Sequence, residues 1–433
     1  MASGAMVQLG VRGPQDAYLI APHELTFWKT GYPRHTNFAV TELQVPFQSN
    51  TGYGRQRMQA KFPRAGDLLS QVYKYDEIAP ISYDATPGAY DPLTSPISAA
   101  WYTDALGHAM MYDCELQIGQ HPFDKQTGEY MEIIDSTSAP AEKLLGGMIG
   151  KYQTQMELIY AGQNTQYLYT PFRWWFCNFF EQSLPMIGLY WHDVITIINQ
   201  RPLTELYHVS GGAVGHAVIP DSPRETYLLA LYVYLDKIER ASFANGKHEY
   251  IFGQVQYLGE ETHQNTSTTQ QHSIRYNHPI QEILWVCQRD AVVTGGATTG
   301  NHWFDFSGVP YNESGFGVTH DTTPFISGTI LLNNHERTID HRAQYYRHVQ
   351  QWEKHSRLSP SNRMIFGYSF GLRPENLLDT GSTNMSRLDQ AILRLNYWSV
   401  ASGRDWTGRT RIYGRNRNLC KNTIGMMGIK FAA

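Results

Sequence analysis

Segments with a two-residue period recur along this chain and indicate its fold class. In residues 229–235 the aliphatic side chains fall on one face and the tyrosines on the other, and residues 388–398 repeat the alternation. A period of two is that of a β-strand, whose successive side chains point to opposite faces. Residues 194–198 are apolar on both faces, which is typical of a strand sandwiched between layers. The pattern therefore predicts an all-β protein with buried sheets.

Turn-rich stretches separate these strands. The chain contains 37 glycines and 21 prolines, which suit turns better than helical bundles. Three long polar segments without periodicity, residues 84–99, 262–272 and 290–323, are predicted to be loops at the ends of the sheets, most of them on the outer face. Many short strands between long loops predict β-sandwiches or jelly rolls.

The charge of the chain argues against several classes of partner. Charged residues make up only 17% of the chain and the formal net charge is −4. Because this balance offers no general attraction to phosphates, we expect no direct sequence-specific contact with nucleic acid.

The longest apolar run, residues 228–235, is far shorter than the ~20 residues of a membrane helix. Four scattered cysteines and the lack of an apolar leader predict a reduced, non-secreted protein.

Two segments read as helices. Lys237–Asn245 follows a strand, precedes Gly246 and lies near the middle of the chain, so we interpret it as a connector between two domains. Residues 340–356 contain no proline and are predicted to form about four helical turns. Residues 23–27 and 248–252 share three of five residues, which suggests that a β-rich unit is duplicated.

The histidines do not form a convincing metal site. Four of them lie in one segment: His335, His341, His348 and His355. The last three are seven residues apart, which on a helix is about 10.5 Å and too far for ligation of one ion. We interpret them as a polar stripe on a surface or interface helix.

Catalytic motifs are equally weak. His192 and Asp193 are adjacent in a presumptive strand and would point to opposite faces, and no GxSxG motif supplies a nucleophile. Residues 295–300 (GGATTG) lack the lysine of a phosphate-binding loop, so we predict a flexible loop there. We therefore expect no enzymatic activity, no cofactor and no metal.

Three further features can be interpreted either as structural or as functional. The basic residues between Arg409 and Lys421 could form a nucleic-acid or membrane patch, but a solvated strand face is more common. Asn265, Asn312 and Asn384 lie in N-x-[ST] sequons, of which Asn265 and Asn312 are kept as candidate glycosylation sites. The aromatic block at residues 172–180 is interpreted as core.

Several motifs, taken in order, resemble one protein family. Residues 16–38 (DAYLIAPHELTFWKTGYPRHTNF) are similar to the opening D-x-Y-L-T-x-x-P-x-I-T-F-F-K-x-x-Y-R-R-H-T-N-F of the major capsid proteins of nucleocytoplasmic large DNA viruses. Residues 184–194 (LPMIGLYWHDV) resemble L-P-L-I-A-L-x-Y-H-E-V, and residues 382–389 (STNMSRLD) resemble S-G-x-x-N-F-S-R-I-D. Shorter collinear matches occur at residues 64–69, 116–119, 124–125, 234–244, 248–251, 277–279 and 425–428. Departures such as Trp28 and Pro33 are local.

The resemblance implies a double jelly roll: two consecutive eight-stranded antiparallel jelly rolls with a short connecting helix and long loops. On this basis we expect an N-terminal arm at residues 1–23, a first jelly roll at 24–236, a linker helix at 237–246 and a second jelly roll at 247–433. It also implies a major capsid protein that forms homotrimeric, pseudo-hexagonal capsomers in the icosahedral shell of a large double-stranded DNA virus.

The same resemblance implies the partners and the location. They are further copies of the chain within the trimer and in neighbouring capsomers, minor capsid and penton proteins, and inner membrane proteins as candidates. The protein would be found in the virion shell after assembly in the host cytoplasm.

Two other functions compete with this interpretation. A jelly-roll carbohydrate-binding or glycoside-processing protein could use tryptophans to stack on sugars, but it would need a secretory signal or a carboxylate pair in a cleft. A minor or chaperone-like capsid component of the same fold is the second alternative.

The N-terminal arm leads to a prediction. Residues 1–22 lack periodicity and could bury little surface alone, so we expect them to order only in assembled particles and to contribute lattice contacts. Deletion of residues 2–15 should leave trimers intact but prevent particle assembly, as seen by electron microscopy. Normal particles, or trimers that no longer fold, would refute this role.

Overall fold

Antiparallel strands make up most of the structure, as the two-residue period predicts. The structure is a computed structural model that describes residues 34–83, 99–139, 145–152, 154–210, 217–263, 268–308, 323–360, 363–398, 407–423 and 425–431, together with Met6, Pro14, Trp28 and Gly31. The chain from Phe38 onward belongs to one compact unit.

The first half of the chain, residues 38–235, contains two principal sheets. One has the strand order β1-β13-β3-β8 and the other has the order β2-β10-β6-β7. The strands are β1 (Phe38–Val45), β2 (Met58–Lys61), β3 (Leu68–Ile78), β4 (Ser82–Tyr83), β5 (Ala100–Tyr102), β6 (Met111–Ile118), β7 (His121–Thr127), β8 (Gln166–Pro171), β9 (Leu184–Pro185), β10 (Val194–Gln200), β11 (Tyr207–Val209), β12 (Ala217–Val218) and β13 (Glu225–Leu235).

The second half, residues 248–429, repeats the arrangement. Its sheets have the orders β14-β23-β16-β20 and β15-β22-β17-β18. The strands are β14 (His248–His263), β15 (Thr269–Ser273), β16 (Pro279–Arg289), β17 (Phe325–Leu332), β18 (His335–Glu336), β19 (His341–Arg342), β20 (Phe366–Ser369), β21 (Thr383–Asn384), β22 (Ala391–Tyr397), β23 (Gly408–Thr423) and β24 (Met426–Ile429).

Both halves have the jelly-roll topology. In each half the first strand pairs with the last principal strand, and the second pairs with the one before the last, so the two sheets interleave along the chain. β1 pairs with β13 from Phe38↔Leu235 to Val45↔Leu228, and β14 pairs with β23 along nearly its whole length. The fold is therefore two consecutive antiparallel jelly rolls, to which short accessory strands such as β4, β9, β21 and β24 are added.

One hairpin in each half closes with the same kind of turn. Gly119 and Gln120 join β6 to β7 with φ of +60° and +67°, and Asn333 and Asn334 join β17 to β18 with φ of +49° and +64°. Left-handed backbone at both central residues is the geometry that fits the twist of a two-residue hairpin, and Gly and Asn adopt it most easily. The halves therefore agree in turn geometry as well as in strand order.

The helices are short connections between strands. In the described residues from 34 onward, the α-helices are α1 (Leu106–Met110), α2 (Gly128–Ser138), α3 (Gln155–Gly162), α4 (Trp175–Asn178), α5 (Lys237–Asn245), α6 (Ala291–Thr294), α7 (Gly296–Thr299) and α8 (Gln350–Lys354). The predicted helix Lys237–Asn245 is confirmed as α5, which runs from β13 to β14. Gly246 follows it with φ of −73°, so this helix ends without a left-handed residue.

The helix predicted over residues 340–356 is shorter and less regular than expected. His341–Arg342 form β19, a π-helical turn at Tyr345–Val349 precedes α8, and the helix ends at Lys354. The buried Tyr346 donates a hydrogen bond of 2.8 Å to the carbonyl of Gly328, which ties the wide turn to β17. Tertiary packing on β17 thus overrides a regular four-turn helix.

The interpretation of the four histidines as a surface stripe is wrong for His355. This residue follows α8, and its buried ring lies between two carboxylates, 3.3 Å from Glu282 Oε2 and 3.0 Å from Glu375 Oε1. Burial lowers the pKa of a histidine, but Glu282 and Glu375 outweigh it and raise the pKa of His355 above its ordinary value. His335 and His348 are exposed, as expected.

The three predicted loops have different outcomes. Residues 84–98 lie outside the described residues. Residues 262–272 are mostly strand, since β14 continues to His263 and β15 begins at Thr269, and polar Thr and Gln side chains alternate there with the buried His272. Residues 291–294 form α6, and residues 296–299 of the GGATTG motif, predicted to be a flexible loop, form α7; the next residues bury Trp303, Phe304 and Phe306 in the core. Residues 309–322 again lie outside the described part.

The pH dependence of stability should reveal the interaction of His355 with Glu282 and Glu375. A pKa raised on folding stabilises the protein fully below the unfolded value, about 6.5, and this contribution disappears as the pH rises through the folded value. His355→Gln should therefore lower the free energy of unfolding by about 1–3 kcal/mol at pH 6, with a smaller difference at pH 9, in urea titrations of both proteins. His335→Gln, at an exposed position, is the control and should change little. An effect of His355→Gln on stability that does not depend on pH would contradict an ionic interaction of His355 with Glu282 and Glu375.

Candidate assembly interfaces

The two jelly rolls share an apolar interface. Trp175 of α4 packs against Phe252 of β14 with ring centroids 4.8 Å apart, and Phe123 of β7 lies 6.0 Å from the same ring. Further along the contact, Tyr130 of α2 lies 5.6 Å from Tyr413 of β23. One continuous cluster of buried residues therefore includes side chains of both halves.

The aromatic block at residues 172–180 supplies much of this interface, as predicted for core residues. Phe172 and Trp174 stack with centroids 4.3 Å apart, and Trp175 and Phe176 are also buried. Phe180, at the end of the block, is exposed. Burial of several aromatic rings at one contact contributes strongly to its stability.

Backbone groups fix the register of the two halves. The carboxylate of Asp124 in β7 accepts a hydrogen bond of 3.1 Å from the backbone N–H of Val255 in β14. Gln254 donates to the carbonyl of Phe123. Burial raises the pKa of Asp124 to about 7, while its hydrogen bonds from Val255 and Gln126 oppose that rise. β7 is thus attached directly to β14, the edge strand of the first sheet of the second half.

A buried ionic network joins the same two halves. Glu132 of α2 lies 2.6 Å from Lys151 and 3.1 Å from Arg363 of the second half. Arg363 also contacts Asp104 at 2.5 Å. Burial alone would raise the pKa of Glu132, but Lys151 and Arg363 hold it well below its usual range. Removing one partner of such a pair leaves an uncompensated buried charge, so the network fixes one arrangement of the halves.

The basic residues between Arg409 and Lys421 lie on β23, and all of them except the exposed Lys421 are buried or half-buried. Arg411 is buried and lies 2.7 Å from Glu260. Arg409 bridges Glu260 and Asp290, and Arg415 lies 3.2 Å from Glu282. Because carboxylates neutralise Arg409, Arg411 and Arg415, these residues stabilise the second jelly roll, and Arg411 also lies near Glu129 of the first. This arrangement does not favour the nucleic-acid or membrane patch.

The outer faces of the first sheets of the two halves differ in how far they are buried. In the second half, the outer face of β14-β23-β16 is covered by the first half, and every residue of β16 from Ile280 to Arg289 is buried. In the first half, the equivalent face of β1-β13-β3-β8 is open. We call it the tyrosine face; its principal residues are Val40, Tyr73, Tyr75, Tyr167, Tyr169, Tyr227, Leu229, Leu231 and Val233.

The tyrosine face is apolar and partly exposed. Tyr75 stacks on Tyr227 with centroids 4.5 Å apart and lies 5.0 Å from Tyr169. Tyr167 is 57% exposed. The alternation in residues 229–235 predicts the strand, but the buried face carries Leu228, Ala230 and Tyr232, whereas the aliphatic face is only half-buried. A contiguous exposed apolar surface of this kind marks an interaction site.

The remaining candidate residues have structural partners. His192 and Asp193 serve different groups: the ring Nδ1 of His192 lies 3.0 Å from the carbonyl of Met427, and Asp193 pairs with Lys61 at 2.7 Å. Asn384 is exposed, and its side chain accepts a hydrogen bond from the Ser386 N–H at the start of a 3₁₀ turn. Asn265 and Asn312 lie outside the described residues, so their glycosylation stays a prediction.

The described residues offer neither a metal site nor a membrane-spanning helix. Within those ranges, no three His, Cys, Asp or Glu side chains are grouped so that they could hold a metal ion. In the same part of the chain, every helix is too short or too polar to span a bilayer.

Known proteins with similar sequences are viral capsid proteins. The family described as "Major capsid protein N-terminus" matches residues 26–236, and "Large eukaryotic DNA virus major capsid protein" matches residues 239–426. The major capsid protein of Pyramimonas orientalis virus is 26% identical over 99% of both chains. That of Paramecium bursaria Chlorella virus 1 is 25% identical over 98% of this chain and 94% of its own.

Solved structures with the same fold come from viral shells. A quasi-atomic model of the PBCV-1 capsid contains a chain that matches with a TM-score of 0.74 and 21% identity, over 94% of this chain and all of that one. The Faustovirus major capsid protein matches with a TM-score of 0.72 and 11% identity over 96% of both chains. The family matches and the sequence relatives favour a shell protein over the sugar-binding alternative. Since two family matches account for nearly the whole length, the chain belongs to the major capsid proteins of large eukaryotic DNA viruses.

Proposed function

We propose that this chain associates with two further copies into a homotrimer, and that such trimers are the pseudo-hexagonal capsomers of an icosahedral shell. The observation that supports the proposal most strongly is the open tyrosine face. The equivalent face of the second half is buried within the chain, whereas on this one Tyr167 and Tyr169 are exposed and Leu229, Leu231 and Val233 are only half-buried.

The internal contact suggests how copies would associate. It joins two different surfaces of two similar units, so it is a head-to-tail contact. Repeated between copies, a head-to-tail contact closes into a ring when the rotation fits. Three copies would supply six similar jelly rolls, which gives a near-hexagonal outline suited to tiling.

Each part of the chain would have its own role in the capsomer. Residues 24–236 and 247–433 would be the two jelly rolls, residues 237–246 the linker, and residues 1–23 an arm on the inner side of the shell. Neighbouring capsomers, minor capsid and penton proteins, and inner membrane proteins would be the partners, and assembly would take place in the host cytoplasm. The role is structural, without a catalytic step.

The oligomeric state tests this proposal directly. Because obligate interfaces bury more than about 2,000 Å², the purified chain at micromolar concentration should have three times the monomer mass by light scattering after gel filtration. Negative-stain images should show particles with a near-hexagonal outline. A monomer at every salt concentration and pH would contradict the trimer.

A further inference from the structure

The second half carries a segment with several exposed apolar side chains. Residues 339–358, here called the docking segment, include β19, the π-helical turn and α8. Trp352 is 78% exposed and Ile339 is 67% exposed, and Val349 and Leu358 are exposed as well. Tryptophan is among the residues most enriched at the centres of protein interfaces.

The docking segment has a counterpart in the first half whose contacts are known. There, the β6–β7 hairpin with its left-handed turn is followed by α2, and Tyr413 on the outer face of β23 is contacted by Tyr130 of α2 and by Thr127 at the end of β7. In the second half, the β17–β18 hairpin has the same turn and is followed by the docking segment. The segment therefore occupies the position of the element that covers a sheet in the internal interface.

The tyrosine face is likewise the counterpart of the sheet that is covered. Its strands β1-β13-β3-β8 have the same order within the first half as β14-β23-β16-β20 have within the second. We infer that the docking segment of one copy covers the tyrosine face of the next copy, with Trp352 at the centre of the contact. This inference rests on the proposed trimer and names the two surfaces that meet in it.

The formal charges of the two surfaces are opposite. The outer side of the tyrosine face carries Glu42, Glu77 and Glu225 against two arginines, Arg224, which pairs with Glu77, and Arg173 near Tyr73. The docking segment has four basic residues against two acidic ones; these are Arg342, Arg347, Lys354 and Arg357 against Asp340 and Glu353. Opposite charge favours this pairing and disfavours contact of either surface with its own copy.

Two charge substitutions test the pairing. Tyr167→Lys places a cation beside Glu77 of its own sheet but opposes the basic docking segment, and Trp352→Glu opposes the acidic tyrosine face. Each variant alone should raise the dissociation constant of the trimer at least about 30-fold, measured by analytical ultracentrifugation. Circular dichroism and thermal melting confirm that each variant folds. Leu378→Glu, at another exposed apolar residue of the second half, is the matched control and should remain trimeric.

Mixing the two variants gives the decisive result. A Tyr167→Lys copy keeps an intact docking segment and a Trp352→Glu copy keeps an intact tyrosine face, so one good contact can form between them. The mixture should therefore yield 1:1 heterodimers, whereas each variant alone stays monomeric. Homodimers of a single variant would show that like surfaces meet, and would overturn the inference.

The other outcomes separate this inference from the proposed function. A wild-type trimer that survives Trp352→Glu shows that another surface meets the tyrosine face, which overturns the inference and leaves the trimer standing. A trimer unaffected by Tyr167→Lys shows that the tyrosine face does not meet the docking segment, which also overturns the inference. A wild-type monomer would defeat the proposed function itself.

Discussion

A sheet with apolar side chains on both faces must be covered on both sides, and the rest of this structure depends on that requirement. The sheet β14-β23-β16-β20 has its own jelly-roll core on one side, and on the other side α2 of the first half packs on it, with Tyr130 against Tyr413. At the edge strand β14, Phe252 meets Trp175 of α4. The two jelly rolls therefore behave as one compact body, and the same requirement leaves the tyrosine face of the first half in need of a partner.

Buried charges make the contact between the halves specific. Apolar surfaces alone could slide past each other, but Glu132 must meet both Lys151 and Arg363 to remain ionised in the interior. Asp124 adds a directional hydrogen bond from the backbone of Val255. A shell subunit must hold its two jelly rolls in one relative orientation, and these polar contacts specify that orientation.

The fold class and the connecting helix were predictable from the chain alone because they depend on local periodicity. The strand around Leu229–Leu235 and the helix Lys237–Asn245 are confirmed, and the motifs at residues 16–38 and 184–194 indicated the family. Which face of β13 is buried was not predictable, since Tyr232 and Leu231 both suit a core and only the partner sheets decide. The role of His355 was also missed, because Glu282 and Glu375 approach it from distant segments. Likewise, the run from Arg409 to Lys421 resembles a basic patch until the carboxylates of neighbouring strands are in place.

The central claim is that the tyrosine face is open in a single copy and covered by a second. Hydroxyl-radical footprinting of the unmodified protein, compared between the assembled state and the monomer obtained by dilution, tests it most directly. The account predicts that oxidation of Tyr167, Tyr169 and Trp352 falls several-fold on assembly, while exposed Trp191, which lies on neither surface, is oxidised equally in both states. Equal oxidation of Tyr167 and Tyr169 in the two states would contradict it.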